Sequence, residues 1–251
     1  MSDYRAIRPS VGDAASMRTG MVLAAGLGKR MRPLTATRPK PLVEVAGKPL
    51  LDHVLDRFRA AGIQRAVVNV HYLADSIGAH LEDQGQDIEI LISDERAELL
   101  ETGGGVAKAL PLIEDDTFLV ANSDNLWVDG PVDAIRLLEQ RWDETMMDGL
   151  LLVVPLSQAH CHSGLGDFSM DPVGRLTRRS PAKPAPFVYT GIQIVSRRLF
   201  QDLPSGPFSM NLLWNRAIAE KRLFGLVHEG LWFDVGTPRA IAQTEAIMGM
   251  I

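Results

Sequence analysis

Apolar and polar positions follow two rhythms along the chain. Met21 to Ala25 (MVLAA), Arg65 to Val70 (RAVVNV), Ile88 to Ile92 (IEILI) and Thr117 to Ala121 (TFLVA) are short apolar runs of strand length. Between them, Leu50, Leu51, Val54, Leu55, Phe58 and Ala61 recur at helical spacing, and Gly62 follows as a stop signal. Ala74 to Leu81 reads as helix, Val106 to Leu110 as a short helical piece, and Pro131 to Gln140 as a helix opened by proline. This alternation predicts an α/β fold: a Rossmann-like, three-layer arrangement with a mixed, mostly parallel sheet between helices. Ligands of such sheets sit outside the carboxyl ends of the strands. Gly26 and Asp124 each follow a predicted strand directly, so they should share one rim.

The second half reads differently. Leu150 to Pro155, Phe187 to Val195, Leu223 to Val227 and Leu231 to Asp234 are strand-like. Gly166 to Met170 and Arg175 to Arg178 form a predicted hairpin around Asp171 to Gly174. Ser209 to Glu220 and Pro238 to Met248 read as helices. Ser180 to Pro186 (SPAKPAP) is an expected exposed, mobile loop. Residues 1–20 read as an N-terminal extension, either loose or docked as an arm on a partner subunit.

Composition narrows the classes. With 251 residues, 46% hydrophobic and 23% charged, the chain can bury a sizeable core. A net charge of -5 rules out a global basic field for nucleic acid, so positive charge matters only where it is concentrated. The single Cys161 excludes an internal disulfide and a multi-cysteine zinc site, which fits a reducing cytoplasm. There is no apolar run of membrane-spanning length and no signal-peptide core.

Positive charge gathers in a local cluster between Gly26 and Pro41. The segment is not a P-loop: Gly28-Lys29 is followed by Arg30 rather than Ser or Thr. Nor is it a dinucleotide fingerprint, because Met31 occupies the third small position and Pro33 stops the helix. What remains is an irregular cationic loop. Gly26 and Gly28 let backbone N–H groups approach phosphate oxygens. Lys29, Arg30, Arg32, Arg38 and Lys40 supply charge, and a polyphosphate ligand suits them. A basic surface loop remains equally open on composition alone.

The stretch "LAAGLGKRMRPLTATRPKPLVEVAGKPL" from Leu23 closely resembles the signature of the sugar-1-phosphate nucleotidyltransferases. "LETGGG", "NSDN", "YTGI" and "WFDVGTP" extend the likeness. Within that family it is nearest to the N-acetylmuramate α-1-phosphate uridylyltransferases of bacterial cell-wall recycling. The resemblance implies a magnesium-dependent enzyme. A sugar 1-phosphate oxygen attacks the α-phosphorus of a nucleoside triphosphate, here UTP, and pyrophosphate leaves. It also implies a nucleotide-binding half at about 21–149, a sugar-binding half at about 150–251, and a cytoplasmic monomer or homodimer.

Carried over residue by residue, the resemblance makes Arg30 and Lys40 the catalytic cations. It makes Asp124 and Asp234 the magnesium ligands, although an isolated Asp after a strand is more often a cap or turn residue. Leu23, Ala24, Ala25, Gly26 and Gly28, with Glu101, Thr102, Gly103 and Gly104, would hold the nucleotide. The glycines of "LETGGG" would expose amides to the base edge, and Glu101 would accept from uracil N3–H. The bland alternative is a glycine turn opening a short helix. Asn122, Gly166, Asp167, Thr190 and Gly191 would line the sugar pocket. Arg178, Arg179 and Lys183 lie near a phosphate-binding position of relatives without a firm alignment. Lys29, Arg32 and Arg38 read as solvated. His160-Cys161-His162 matches no zinc spacing and reads as a flexible loop at the sugar entrance; His53 reads as solvent-facing. Two alternatives remain: mannose-, glucose- or heptose-1-phosphate with GTP or another triphosphate, or a catalytically inactive nucleotide-sugar-binding module.

Overall fold

The computed structural model describes residues 17–82 and 87–250. In chain order the elements are β1 (Thr19–Leu23), β2 (Glu44–Val45), β3 (Lys48–Pro49), α1 (Leu50–Ala61), β4 (Arg65–Val70), α2 (Ala74–Glu82) and β5 (Glu89–Asp94). Next come α3 (Glu101–Ala109), β6 (Thr117–Asn122), β7 (Asn125–Val128), α4 (Ala134–Arg141), β8 (Gly149–Pro155) and β9 (Ala159–His160). The chain continues with β10 (Phe168–Met170), β11 (Leu176–Arg178), β12 (Phe187–Ser196), α5 (Met210–Ala219), β13 (Leu223–Val227), β14 (Leu231–Asp234) and α6 (Pro238–Met248).

Among the described residues nine strands form the central sheet. Its main path runs β11-β10-β12-β6-β1-β4-β5, with β8 on β12 and β13 on β8. The half built on β6, β1, β4 and β5 is parallel, and β12 enters antiparallel to β6. Strand alternation explains the layers. Val22, Val68, Leu119, Ala121, Leu150 and Leu152 face the layer of α1, α2 and α4, with Phe58, Ile77 and Leu138. Their neighbours Met21, Val67, Phe118, Val120 and Leu151 face α3 and α5, with Val106, Leu213 and Trp214. Both sheet faces are thus covered, which is why the strands read as unbroken apolar runs.

Most of the 1–20 extension lies outside the described residues. Within them, β1 already begins at Thr19, Met17 is buried in the core, and the Arg18 carbonyl accepts from Gln64 and Arg65. A third cluster unites Met31, Val43, Val45 and Leu50 with Leu126, Phe233 and Val235. It fastens the cationic loop to the small β7-β14-β9 sheet. Among the described residues no helix is long and apolar enough to cross a membrane.

Candidate active site

The carboxyl ends of β1, β4 and β6 open on a cleft of about 380 Å³. Leu23, Ala24, Ala25 and Gly26 form one wall, and Glu101 and Thr102 another. Asn122, Asp124 and Lys40 close the third side. The expected shared rim of Gly26 and Asp124 is therefore present. A larger hollow, about 480 Å³, surrounds Asp148 elsewhere. There the Asp148 carboxylate accepts from Arg198 and Arg222, whose remaining donors engage backbone carbonyls. That hollow is a structural junction and holds none of the family's motif residues.

The cationic loop folds as three short 3-10 turns, at Lys29–Met31, Leu34–Ala36 and Lys40–Leu42. Gly28 begins the first at φ 60, and its carbonyl accepts from Met31 N–H and Thr35 Oγ1. A Cβ at Gly28 would sit 3.0 Å from the Lys40 Cβ, so this glycine folds the loop rather than lining the cleft. Lys29, Arg32 and Arg38 are exposed, as expected. Lys40 is buried between Pro39 and Pro41, and its Nζ donates to Asp124 Oδ2 at 2.6 Å.

Asp234 ends β14, which pairs antiparallel with β7 so that Asp234 lies opposite Asn125. The two aspartates thus stand on neighbouring strand ends. A Cβ placed on Gly236 would be 3.0 Å from Asp234 Oδ1 and 3.1 Å from Arg30 Nη1, so guanidinium and carboxylate flank the same glycine. Burial acts to raise the Asp234 carboxyl, but the His162 hydrogen bond and the charges of His162, Arg30 and Lys40 hold it below the usual carboxylate range. Among the described residues no cluster of three His, Cys, Asp or Glu side chains could hold a metal unaided. Two adjacent carboxylates suit magnesium, which keeps waters and completes its shell with substrate phosphates.

The glycines of "LETGGG" behave differently from expectation. They lie inside α3, where the Gly103 and Gly104 N–H groups both donate to the Phe208 carbonyl. A Cβ at Gly103 would meet the Phe208 ring at 2.5 Å, and one at Gly105 the Asn69 amide at 2.7 Å. These glycines serve close packing, and their amides are not free for a base. Glu101, at φ 60, and Thr102 are the residues of the motif that reach the cleft.

On the sugar side, Asp167 Oδ2 accepts the Tyr189 N–H, and Gly166 turns at φ 77. Gly191, at φ 87, lets β12 press on Asn122 and Asn125. Thr190 is fully buried, its hydroxyl donating to the Leu152 carbonyl. Arg178 stacks on Phe168 and Trp214 and donates to Asn211 and Asn215 of α5. His160-Cys161-His162 is not a loose loop: β9 pairs with β14, and His162 Nδ1 donates to Asp234 Oδ2 at 3.1 Å. His53 is half-buried and donates to the Val45 carbonyl. Asn69 and Ser209 also line the cleft and were missed from sequence, as were Gly236 and His162; only "WFDVGTP" hinted at Gly236.

A family model described as nucleotidyl transferase matches residues 19–248. The chain belongs to the nucleotidyl transferase family. This nucleotidyltransferase is 44% identical to an N-acetylmuramate alpha-1-phosphate uridylyltransferase of Caulobacter vibrioides, over 91% of this chain and 96% of that one. It is 36% identical to the protein of the same name from Neisseria meningitidis serogroup B, over 91% and 97%. A solved UDP-glucose pyrophosphorylase complexed with UDP-glucose shares the fold of this nucleotidyltransferase with a TM-score of 0.77, at 13% identity, over 93% of this chain and 99% of that one.

Proposed function

We propose that the enzyme transfers a uridylyl group from UTP to N-acetylmuramic acid α-1-phosphate and releases pyrophosphate. Two relatives of that name, matched over nine-tenths of the chain, support the substrate pair. The observation that supports the chemistry is a chain of proximities: Lys40 donates to Asp124 at the cleft, and the charges of Lys40 and Arg30 both act on Asp234. The reaction joins two polyanions, so it depends on positioning and cations more than on a protein nucleophile.

A phosphate oxygen of the sugar attacks the α-phosphorus, and the bond to the β-phosphate bridging oxygen breaks. Arg30, a permanently charged planar fork, takes the charge growing on pyrophosphate. Lys40, held by flanking prolines, meets the phosphate near the point of attack. Asp124 and Asp234 would hold magnesium, which would neutralise phosphate oxygens there. Glu101 accepts from uracil N3–H beside the wall formed by Ala24 to Gly26. Asp167 keeps one carboxylate oxygen for a sugar hydroxyl. The product is a nucleotide sugar of cell-wall recycling.

The test is a product screen by mass spectrometry, pairing each common triphosphate with a panel of sugar 1-phosphates in magnesium. UDP-N-acetylmuramic acid as the dominant product is expected. GDP-mannose as the dominant product would move the assignment to the guanylyltransferase alternative. Absence of pyrophosphate with every pair would leave an inactive binding module.

A further inference from the structure

His162 lies outside the family motifs that place Arg30, Lys40 and the two aspartates, yet the fold goes to some length to fix it. β9 runs parallel to β14, setting Ala159 against Trp232 and His160 against Phe233. The His160 ring stacks on Phe233 with centroids 5.2 Å apart. Cys161 then turns the chain at φ 61, with Sγ seated against the Ala240 carbonyl and Thr244 of α6. The turn brings His162 back over the end of β14, its ring 6.1 Å from Trp232. Gly164 completes the seat. A Cβ there would lie 2.3 Å from His162 Nε2, so any other residue would push the imidazole away.

From this seat Nδ1 donates to Asp234 Oδ2 at 3.1 Å. The other oxygen, Oδ1, is left on the side of Gly236 and Arg30. We infer that His162 is a positioning residue for Asp234: by holding Oδ2 it fixes the orientation of the carboxylate that would bind the divalent cation. The physical reason is general. A carboxylate that is free to rotate loses entropy on ligation, and an outer hydrogen bond removes that freedom in advance. Such partners change metal affinity by roughly 10–100-fold when removed. The inference rests on the reading of Asp234 as a metal ligand.

Calorimetry separates the two claims. The readout is the factor by which Mn²⁺ strengthens binding of α,β-methylene-UTP to the full chain, measured against binding of the analogue in EDTA. His162→Ala should shrink that factor by roughly 10–100-fold and leave the metal-free affinity unchanged. His162→Asn, whose side-chain N–H can donate from nearly the same point, should recover part of it. An undiminished factor in His162→Ala, accompanied only by a lower unfolding midpoint, would make the histidine purely structural and overturn the inference. If His162→Ala does not fold, a wild-type factor in a His162→Phe variant overturns it in the same way. Asp234→Asn is the control. A wild-type factor there would defeat the metal assignment itself, whereas loss in Asp234→Asn without loss in His162→Ala defeats only the role given to His162.

Discussion

The Lys40 ammonium donates to the Asp124 carboxylate at 2.6 Å across a sequence separation of 84 residues. This contact ties the cationic loop to the rim of the sheet and, on the proposed function, joins a phosphate-binding cation to a metal ligand. It also couples function to stability. The Lys40 side chain is 10% exposed and that of Asp124 31%. Asp124→Ala therefore removes the proposed metal ligand and strands a nearly buried cation. Activity should fall at least about 100-fold, and stability by about 1–3 kcal/mol. Adding Lys40→Met should restore most of the stability and none of the activity. Urea unfolding beside a pyrophosphate-release assay checks both. Wild-type stability in Asp124→Ala would mean that the pair does not hold the loop.

Gly236 stands between the Arg30 guanidinium and the Asp234 carboxylate, with about 3 Å from its absent Cβ to each. An alanine there must push one of the two groups aside by a few tenths of an ångström. A displacement of 1 Å at a reacting centre can cost about 100-fold in rate. Gly236→Ala, with its smaller shift, should therefore lower kcat by up to about tenfold with little change in the unfolding midpoint. Unchanged turnover would show that Arg30 and Asp234 do not act together across this glycine.

The elements most legible in the sequence are those with strong period and clear stops. α1, β4, β13, β14 and α6 lie at the limits that their patterns predict. Gly62, at φ 87, ends α1 as a left-handed cap, and Thr237 caps α6. Asp124 and Lys40 were singled out by motif, and the shared rim explains why they meet. β9 was not legible, because two residues carry no period; its partner strand, some 70 residues away, defines it. Thr190 and the "GGG" run misled for the same reason. Trp232 and Leu152, or Phe208 and Asn69, decide what those residues do, and no local pattern records such neighbours.

Two glycines that the sequence assigns to the nucleotide should separate packing from binding. At Gly103 a Cβ would strike the Phe208 ring at 2.5 Å and its carbonyl at 2.9 Å. Gly103→Ala should overpack the α3 to α5 contact and cost about 1–3 kcal/mol. At Gly26 nothing lies within 4 Å of the missing Cβ. Gly26→Ala should change stability by less than about 0.5 kcal/mol while weakening UTP binding, since the added methyl points into unfilled space at the cleft. Thermal unfolding and UTP titration of both variants provide the comparison. Equal stability losses would refute the assignment of Gly103 to packing and Gly26 to the ligand.

Two histidines, His53 half-buried and His228 buried, set a pH dependence distinct from that of the active site. His53 donates to the Val45 carbonyl, and His228 Nε2 lies between the carbonyls of Val128 and Leu231. Burial lowers the pKa of both from the ordinary 6.5, and the carbonyl contacts only partly oppose it. The unfolded chain therefore takes up these protons first as pH falls below about 6.5. More protons on the unfolded state means that stability drops with pH and levels off once the folded-state values are passed. Each histidine adds at most one proton, hence at most about 1.4 kcal/mol per pH unit, to the slope. His53→Gln and His228→Gln keep a neutral donor and should each flatten the stability curve between pH 7 and 5. The depressed Asp234 carboxyl acts in the same direction but only in more acidic solution, below the ordinary carboxylate range, so it does not blur this window. Urea midpoints measured across the range decide the matter; a wild-type slope in both single variants would show that neither histidine is kept neutral by the fold.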